Sequence, residues 1–148
     1  MTNTIHSIKR ETNETKINLK FGLIPNKKNH IKTKIPFFDH MLDLWSKHGH
    51  FHLDLTVNGD IEVDFHHTVE DVGICLGQAF KQVLGEGKGI TRFASLDLPM
   101  DESLCQIAVD ISNRPFLHFK GTFPSQKTGD FDAELVEEFF KAFAFNAR

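Results

Sequence analysis

Asp64-Phe65-His66-His67-Thr68-Val69-Glu70-Asp71 is the stretch in which the spacing of apolar residues changes. Upstream, Phe51, Leu53, Leu55 and Val57 alternate with His52, Asp54 and Thr56. Ile61, Val63 and Phe65 continue the period of two beyond Asn58-Gly59, so residues 51–65 read as a hairpin. Downstream, Val69, Val72, Leu76, Ala79 or Phe80, and Val83 step by three and four to Gly85, which describes an amphipathic helix. The histidine doublet falls at that helix's N-terminus. There His66 and Glu70 form an i,i+4 pair and His67 and Glu70 an i,i+3 pair, so two imidazoles and a carboxylate leave neighbouring points of one turn. Such a turn suits one divalent ion or two.

Working outward, Ile17, Leu19 and Phe21 alternate with Lys16, Asn18 and Lys20, and Ile31, Thr33 and Ile35 with Lys32 and Lys34. Both stretches predict half-buried strands, with Pro25-Asn26 marking the turn between them. Pro36 opens a helical pattern of Phe38, Met41, Leu42 and Trp45 that closes at Gly49, a residue suited to a C-cap, and this helix carries His40 and His48. After Gly89 the pattern predicts strands at about 91–98, 104–111 and 115–120, with Pro99-Met100-Asp101-Glu102 as a loop. Leu135, Val136, Phe139, Phe140 and Phe143 then mark another amphipathic helix. The order of elements repeats in outline, and the second round stops after its first helix. The chain reads as truncated, which predicts an exposed apolar face at Phe139, Phe140 and Phe143 and an unpaired sheet edge.

The 148 residues, 40% hydrophobic and 25% charged, have the composition of an ordinary folded domain, able to bury a core without disulfides. Cys75 and Cys105 share no CxxC spacing and read as reduced, small core residues of a cytosolic protein. A net charge of −3 and a pI near 6.3 argue against nucleic acid as the main partner. No apolar run is long enough for a membrane helix, and the first residues lack the apolar core of a signal peptide, so the cytoplasm is the expected compartment.

Six of the nine histidines lie between residues 40 and 67, yet a polar ring on an exposed strand face needs no function. His50 and His52 therefore read as structural or solvated, His6 and His30 as loop residues, and His118 as a strand-face residue. The doublet differs, because adjacent histidines one turn from a carboxylate have no packing purpose and would repel if both were protonated. Imidazole with carboxylate suits Mn, Fe, Co or Zn. His40, on the preceding helix, is a further candidate ligand. Arg92, after Gly89-Ile90-Thr91, and Arg114, in Ser112-Asn113-Arg114-Pro115, present forked guanidiniums near turns, where a phosphate can be held bidentately.

With these pieces in order the chain resembles the imidazoleglycerol-phosphate dehydratase family of histidine biosynthesis. The motifs run in family order across nearly all of the chain: Arg10-Glu11-Thr12-Asn13-Glu14-Thr15, Phe37-Phe38-Asp39-His40-Met41-Leu42, Gly59-Asp60, His66-His67-Thr68-Val69-Glu70-Asp71, Gly89-Ile90-Thr91-Arg92, Pro99-Met100-Asp101-Glu102 and Asp110-Ile111-Ser112-Asn113-Arg114-Pro115. The resemblance implies an α+β fold, similar to domain 2 of ribosomal protein S5. Two half-domains, 1–88 and an incomplete 89–148, would each be built on a four-stranded sheet with helices on one face. It also implies a homo-oligomer, a 24-mer in complete members, with a dimanganese site between subunits, other divalent metals being possible.

Residue by residue, the resemblance places His40, His66, His67 and Glu70 on metal ligands. Glu14 falls on a substrate-contacting and catalytic glutamate and Glu70 on a second catalytic carboxylate. Arg92 and Arg114 fall on phosphate contacts and His48 on the helix lining the substrate pocket. The implied reaction removes water from imidazole glycerol phosphate, through a diazafulvene-like intermediate and an enol, to give imidazole acetol phosphate. Asn113 stands where the family has glycine, and since Asn tolerates positive φ the turn is expected to survive. The second His-His-x-x-Glu segment of the family is not in this sequence. The alternatives are an inactive fragment or metal-binding structural subunit of the family, and a dinuclear metallohydrolase.

Overall fold

The structure, a computed structural model, describes residues 4–24 and 28–148. β1 (His6–Glu11) and β2 (Thr15–Gly22) form an antiparallel hairpin. They are followed by β3 (His30–Lys32), α1 (Pro36–Gly49), β4 (His52–Gly59) and α2 (His66–Leu84). The sheet order is β1-β2-β4-β3, with β4 antiparallel to β2 and parallel to β3. Ile8, Ile17, Leu19, Phe21, Leu53, Leu55 and Val57 point to one face, where they pack on Phe38 and Leu42 of α1 and Val69, Val72, Cys75, Leu76 and Ala79 of α2. The first sheet thus has four strands with helices on one face, as expected.

The 51–65 hairpin does not form. After Gly59 the chain turns, Val63 is 73% exposed, and the partners of β4 are β2 and β3 rather than a following strand. Asn58-Gly59 is a turn signal, but the turn leads into a helix whose packing on β2 outweighs local alternation. His6 and His30, expected in loops, are the first residues of β1 and β3. The strand expected to reach Ile35 stops at Lys32, because Lys34 adopts φ 69 and Asp39 accepts hydrogen bonds from Thr33 N (2.7 Å) and Thr33 Oγ1 (2.7 Å). α1 runs through Gly49, and the left-handed cap is His50 (φ 53), whose N–H bonds Lys47 O. Gly49 is required for a different reason: a Cβ there would strike the Phe51 ring. The turn assigned to Pro25-Asn26 lies outside the described residues.

Beyond Gly85, β5 (Phe93–Met100) and β6 (Ser103–Asp110) form a two-stranded hairpin turning at Asp101-Glu102, so Pro99 and Met100 belong to the strand rather than a loop. Residues 115–120 keep an alternating exposure but form no ladder, which corrects the strand expected there. Alternation without a hydrogen-bonding neighbour does not make a strand. A small hairpin, β7 (Lys127–Thr128) with β8 (Phe131–Asp132), leads into α3 (Leu135–Ala147).

α3 packs against α2, which corrects the predicted exposure of its aromatic face. Phe139 and Phe143 join the core, with the Phe38–Phe139 centroids 5.5 Å apart and Trp45–Phe143 5.9 Å, and of the three phenylalanines expected to be exposed Phe140 alone is, at 43%. Gly73 and Gly77 permit the approach: a Cβ on Gly73 would lie 2.8 Å from Phe139 O, and one on Gly77 2.5 Å from Phe143 O. The exposed apolar surface lies instead on the β5–β6 hairpin, where Leu96, Leu98, Met100, Ile107 and Val109 share one face.

Candidate active site

Three elements meet at the N-terminus of α2: the β1–β2 turn, the segment after β4, and the first two turns of the helix. Thr15 Oγ1 donates to Asp71 Oδ2, while Arg10 places Nε (2.9 Å) and Nη2 (2.8 Å) on Asp71 Oδ1. Asp71 is buried, so this charge-assisted network fixes the helix to the hairpin. Asp64 Oδ1 takes the His66 N–H at 2.8 Å, satisfying one of the donors that every helix start leaves free.

On that support the predicted ligands project into solvent. His66 Nε2 lies 3.8 Å from Glu70 Oε2, with the two side chains 43% and 44% exposed. Two ligands of one ion at ~2.1 Å stand roughly 3 to 3.5 Å apart, so a small rotation brings this pair to a shared metal. His67 turns the other way and holds Asp60 Oδ2 at 2.9 Å through Nδ1. That hydrogen bond raises the His67 pKa; desolvation opposes it, and the charges of Asp60, Glu14 and Asp64 add to it. Glu14, on the β1–β2 turn, is tied to the same place, since its carbonyl accepts the Asp60 N–H at 3.1 Å.

The remaining candidates stand elsewhere. His40, at the start of the second turn of α1, and His48, in its last, are exposed. Among the described residues no three His, Cys, Asp or Glu side chains converge on a metal-sized point, so His40, His66, His67 and Glu70 do not close a site within one chain. The donor set itself, three imidazoles and a carboxylate, fits a borderline divalent ion. Arg92 grips Asp110 through Nε (2.6 Å) and Nη2 (3.1 Å) and stacks 4.7 Å from the Phe93 ring centroid. That hydrogen-bonded guanidinium holds the Asp110 carboxyl below its usual range against slight desolvation, and Arg114 contributes from nearby. Asn113 takes φ 58, so the turn beside Arg114 forms as expected.

Arg92 shares a cleft with Lys81, Leu84 and Gly85, which places it at the C-terminal end of α2. His66 begins the same helix, and eighteen residues at 1.5 Å each put about 27 Å between the two ends. The metal-type and phosphate-type candidates therefore lie at opposite ends of one helix. Asp60 and Asp71 are functional neighbours of the site that the sequence pattern did not single out. Nothing in the spacing of Asp60, seven residues before His67 and outside the helix, could have placed it on that ring.

Known proteins include relatives of this chain in both sequence and fold. A family model described as imidazoleglycerol-phosphate dehydratase matches residues 33–148. Relatives of that name include one from Azorhizobium caulinodans, 56% identical over 140 residues, covering 95% of this chain and 71% of the relative. Another, from Bacillus licheniformis, is 54% identical over 139 residues, covering 94% and 72%. The solved imidazoleglycerol-phosphate dehydratase of Staphylococcus aureus superposes with a TM-score of 0.87 at 36% identity, covering 97% of this chain and 79% of that one. That of Pyrococcus furiosus, in complex with (S)-C348, gives 0.81 at 34%, covering 95% and 74%. The chain belongs to the imidazoleglycerol-phosphate dehydratase family, metal-dependent hydro-lyases of histidine biosynthesis.

Proposed function

We propose that His40, His66, His67 and Glu70 hold manganese, two ions per complete site, and that Glu14 and Glu70 are the carboxylates that move protons during elimination of water from imidazole glycerol phosphate. The observation that carries this reading is the turn of α2 that presents His66 and Glu70 together, with His67 fixed beside them by Asp60. When bound, the metal supplies Lewis acidity toward the substrate imidazole. Glu14 sits on a turn whose backbone is hydrogen-bonded to Asp60, so its carboxylate has a fixed origin from which to reach a substrate proton. Arg92 and Arg114 bind the phosphate, with Arg92 sharing its fork between Asp110 and the incoming anion. His48 lines the pocket from α1.

The working site is shared between copies of the chain in a homo-oligomer. What supports this is length: one small substrate does not bridge the ~27 Å from the N-terminal end of α2 to its C-terminal end, so phosphate and metal contacts to it come from different subunits. The chain is organised as two units, 1–88 and 89–148, meeting at the glycine-rich segment that holds Gly85, Gly87 and Gly89. Among the described residues no helix is long and apolar enough to cross a membrane. The cytoplasm is the proposed compartment, as the place of amino-acid biosynthesis.

The test is His67→Ala in the full protein, assayed for imidazole acetol phosphate and for free phosphate. Loss of metal-dependent keto product supports the assignment. Normal turnover refutes it, and phosphate release in the wild-type protein would make it a hydrolase.

A further inference from the structure

Asp60 is held at several points. Its N–H donates to Glu14 O at 3.1 Å, and its carbonyl accepts the Val63 N–H at 2.9 Å. Gly59, immediately before it, passes so close to the buried Thr68 hydroxyl of α2 that a Cβ would collide with Thr68 Oγ1. The loop backbone is thus seated directly on the helix that carries the histidines. A fixed backbone gives the Asp60 carboxylate little freedom to choose partners. Its Oδ1 is buried with no hydrogen-bond partner among the described residues, and Oδ2 meets His67 Nδ1 at 2.9 Å.

We propose that Asp60 is a positioning residue that holds the His67 imidazole in its Nδ1–H tautomer, turning the Nε2 lone pair outward as the ligand atom. The inference rests on reading His67 as a metal ligand and adds what that reading leaves open, namely which nitrogen binds and what selects it. The selection is needed because a free histidine side chain favours the opposite tautomer, with the proton on Nε2, which would blunt the outward-facing atom. A carboxylate that accepts only at Oδ2 demands a donor there, and Nδ1–H is the donor in reach. The same bond sets the ring plane, so the lone pair has a direction before any ion arrives. Backbone bonds through Glu14 O extend the support to the β1–β2 turn, which keeps the ligand and the proposed proton carrier in register.

The experiment uses the full protein, labelled with 15N-histidine and free of metal, at alkaline pH where the imidazoles are neutral. The His67 signals are assigned by their loss in His67→Gln. Wild-type His67 is expected as Nδ1–H, Asp60→Ala as mainly Nε2–H, and Asp60→Asn, whose amide oxygen still accepts, as Nδ1–H again. Manganese affinity, titrated in parallel, is expected to fall about 10- to 100-fold in Asp60→Ala and to recover in Asp60→Asn. An Nε2–H tautomer in the wild-type protein, or one unmoved by Asp60→Ala, overturns the inference. So does a shifted tautomer with unchanged manganese affinity. Unchanged affinity in His67→Ala instead overturns the ligand reading itself.

Discussion

Asp71 binds the candidate site to the sheet, and removing it has a cost that the geometry sets. Its side chain is 10% exposed and receives three donors: two guanidinium nitrogens of Arg10 on Oδ1 and the Thr15 hydroxyl on Oδ2. Hydrogen bonds to a charged group contribute about 1.5 to 3 kcal/mol, and stranding one member of a fully buried ion pair costs about 3 to 5 kcal/mol. Arg10 is 34% exposed, so water recovers part of its hydration. Asp71→Ala should then lose about 2 to 3 kcal/mol. Asp71→Asn should lose about 1 kcal/mol, because an amide oxygen can still serve Arg10 while the Thr15 hydroxyl turns toward Thr12 Oγ1, 3.3 Å away. Urea unfolding reads this directly: with a slope of about 2 kcal/mol/M, the midpoint of Asp71→Ala should fall by about 1 to 1.5 M. A midpoint unchanged within a few tenths of a molar unit, or an Asn variant as damaged as the Ala variant, would refute the account of the network.

Gly77→Ala tests the helix contact. Alanine gains about 1 kcal/mol of helix propensity, but its methyl would meet the α3 backbone at Phe143 O (2.5 Å) and Ala147 N (2.9 Å), an overpacking worth about 1 to 3 kcal/mol. A net fall in Tm of a few degrees is expected, and a rise would contradict the packing. Burial pushes the Cys75 thiol up to about 12, so almost no thiolate exists at neutral pH, whereas Cys105, expected in the core, is exposed because no layer covers the β5–β6 hairpin. Native protein should alkylate at Cys105 alone and denatured protein at both; rapid native labelling of Cys75 would show that the core opens. Arg114→Ala should chiefly raise KM for the phosphorylated substrate, and a loss confined to kcat would remove Arg114 from phosphate binding.

Much of this was legible where one physical signal dominated. The alternation of β2 and the three-and-four stepping of α1, α2 and α3 each report a single buried face, and each of these elements formed. Strand pairing was less legible, because it is decided by distant segments. β4 takes β2 and β3 as neighbours, whereas local alternation favoured pairing with residues 61–65. β1 escaped notice because Ile8 is its one fully buried side chain. The ligand candidates were readable from spacing along one helix. The residues that hold them, Asp60 and Asp71, were not, since hydrogen bonds across 7 and 56 to 61 positions leave no periodic trace.

In the proposed site the first two turns of α2 carry the metal through His66, His67 and Glu70. Crystals of the protein grown with manganese, measured at the manganese absorption edge, test it most directly. Anomalous peaks are expected within coordination distance of His67 Nε2 and of the His66–Glu70 pair, with further ligands from a neighbouring copy. Peaks confined to other parts of the chain, or none at α2 under saturating manganese, would contradict it.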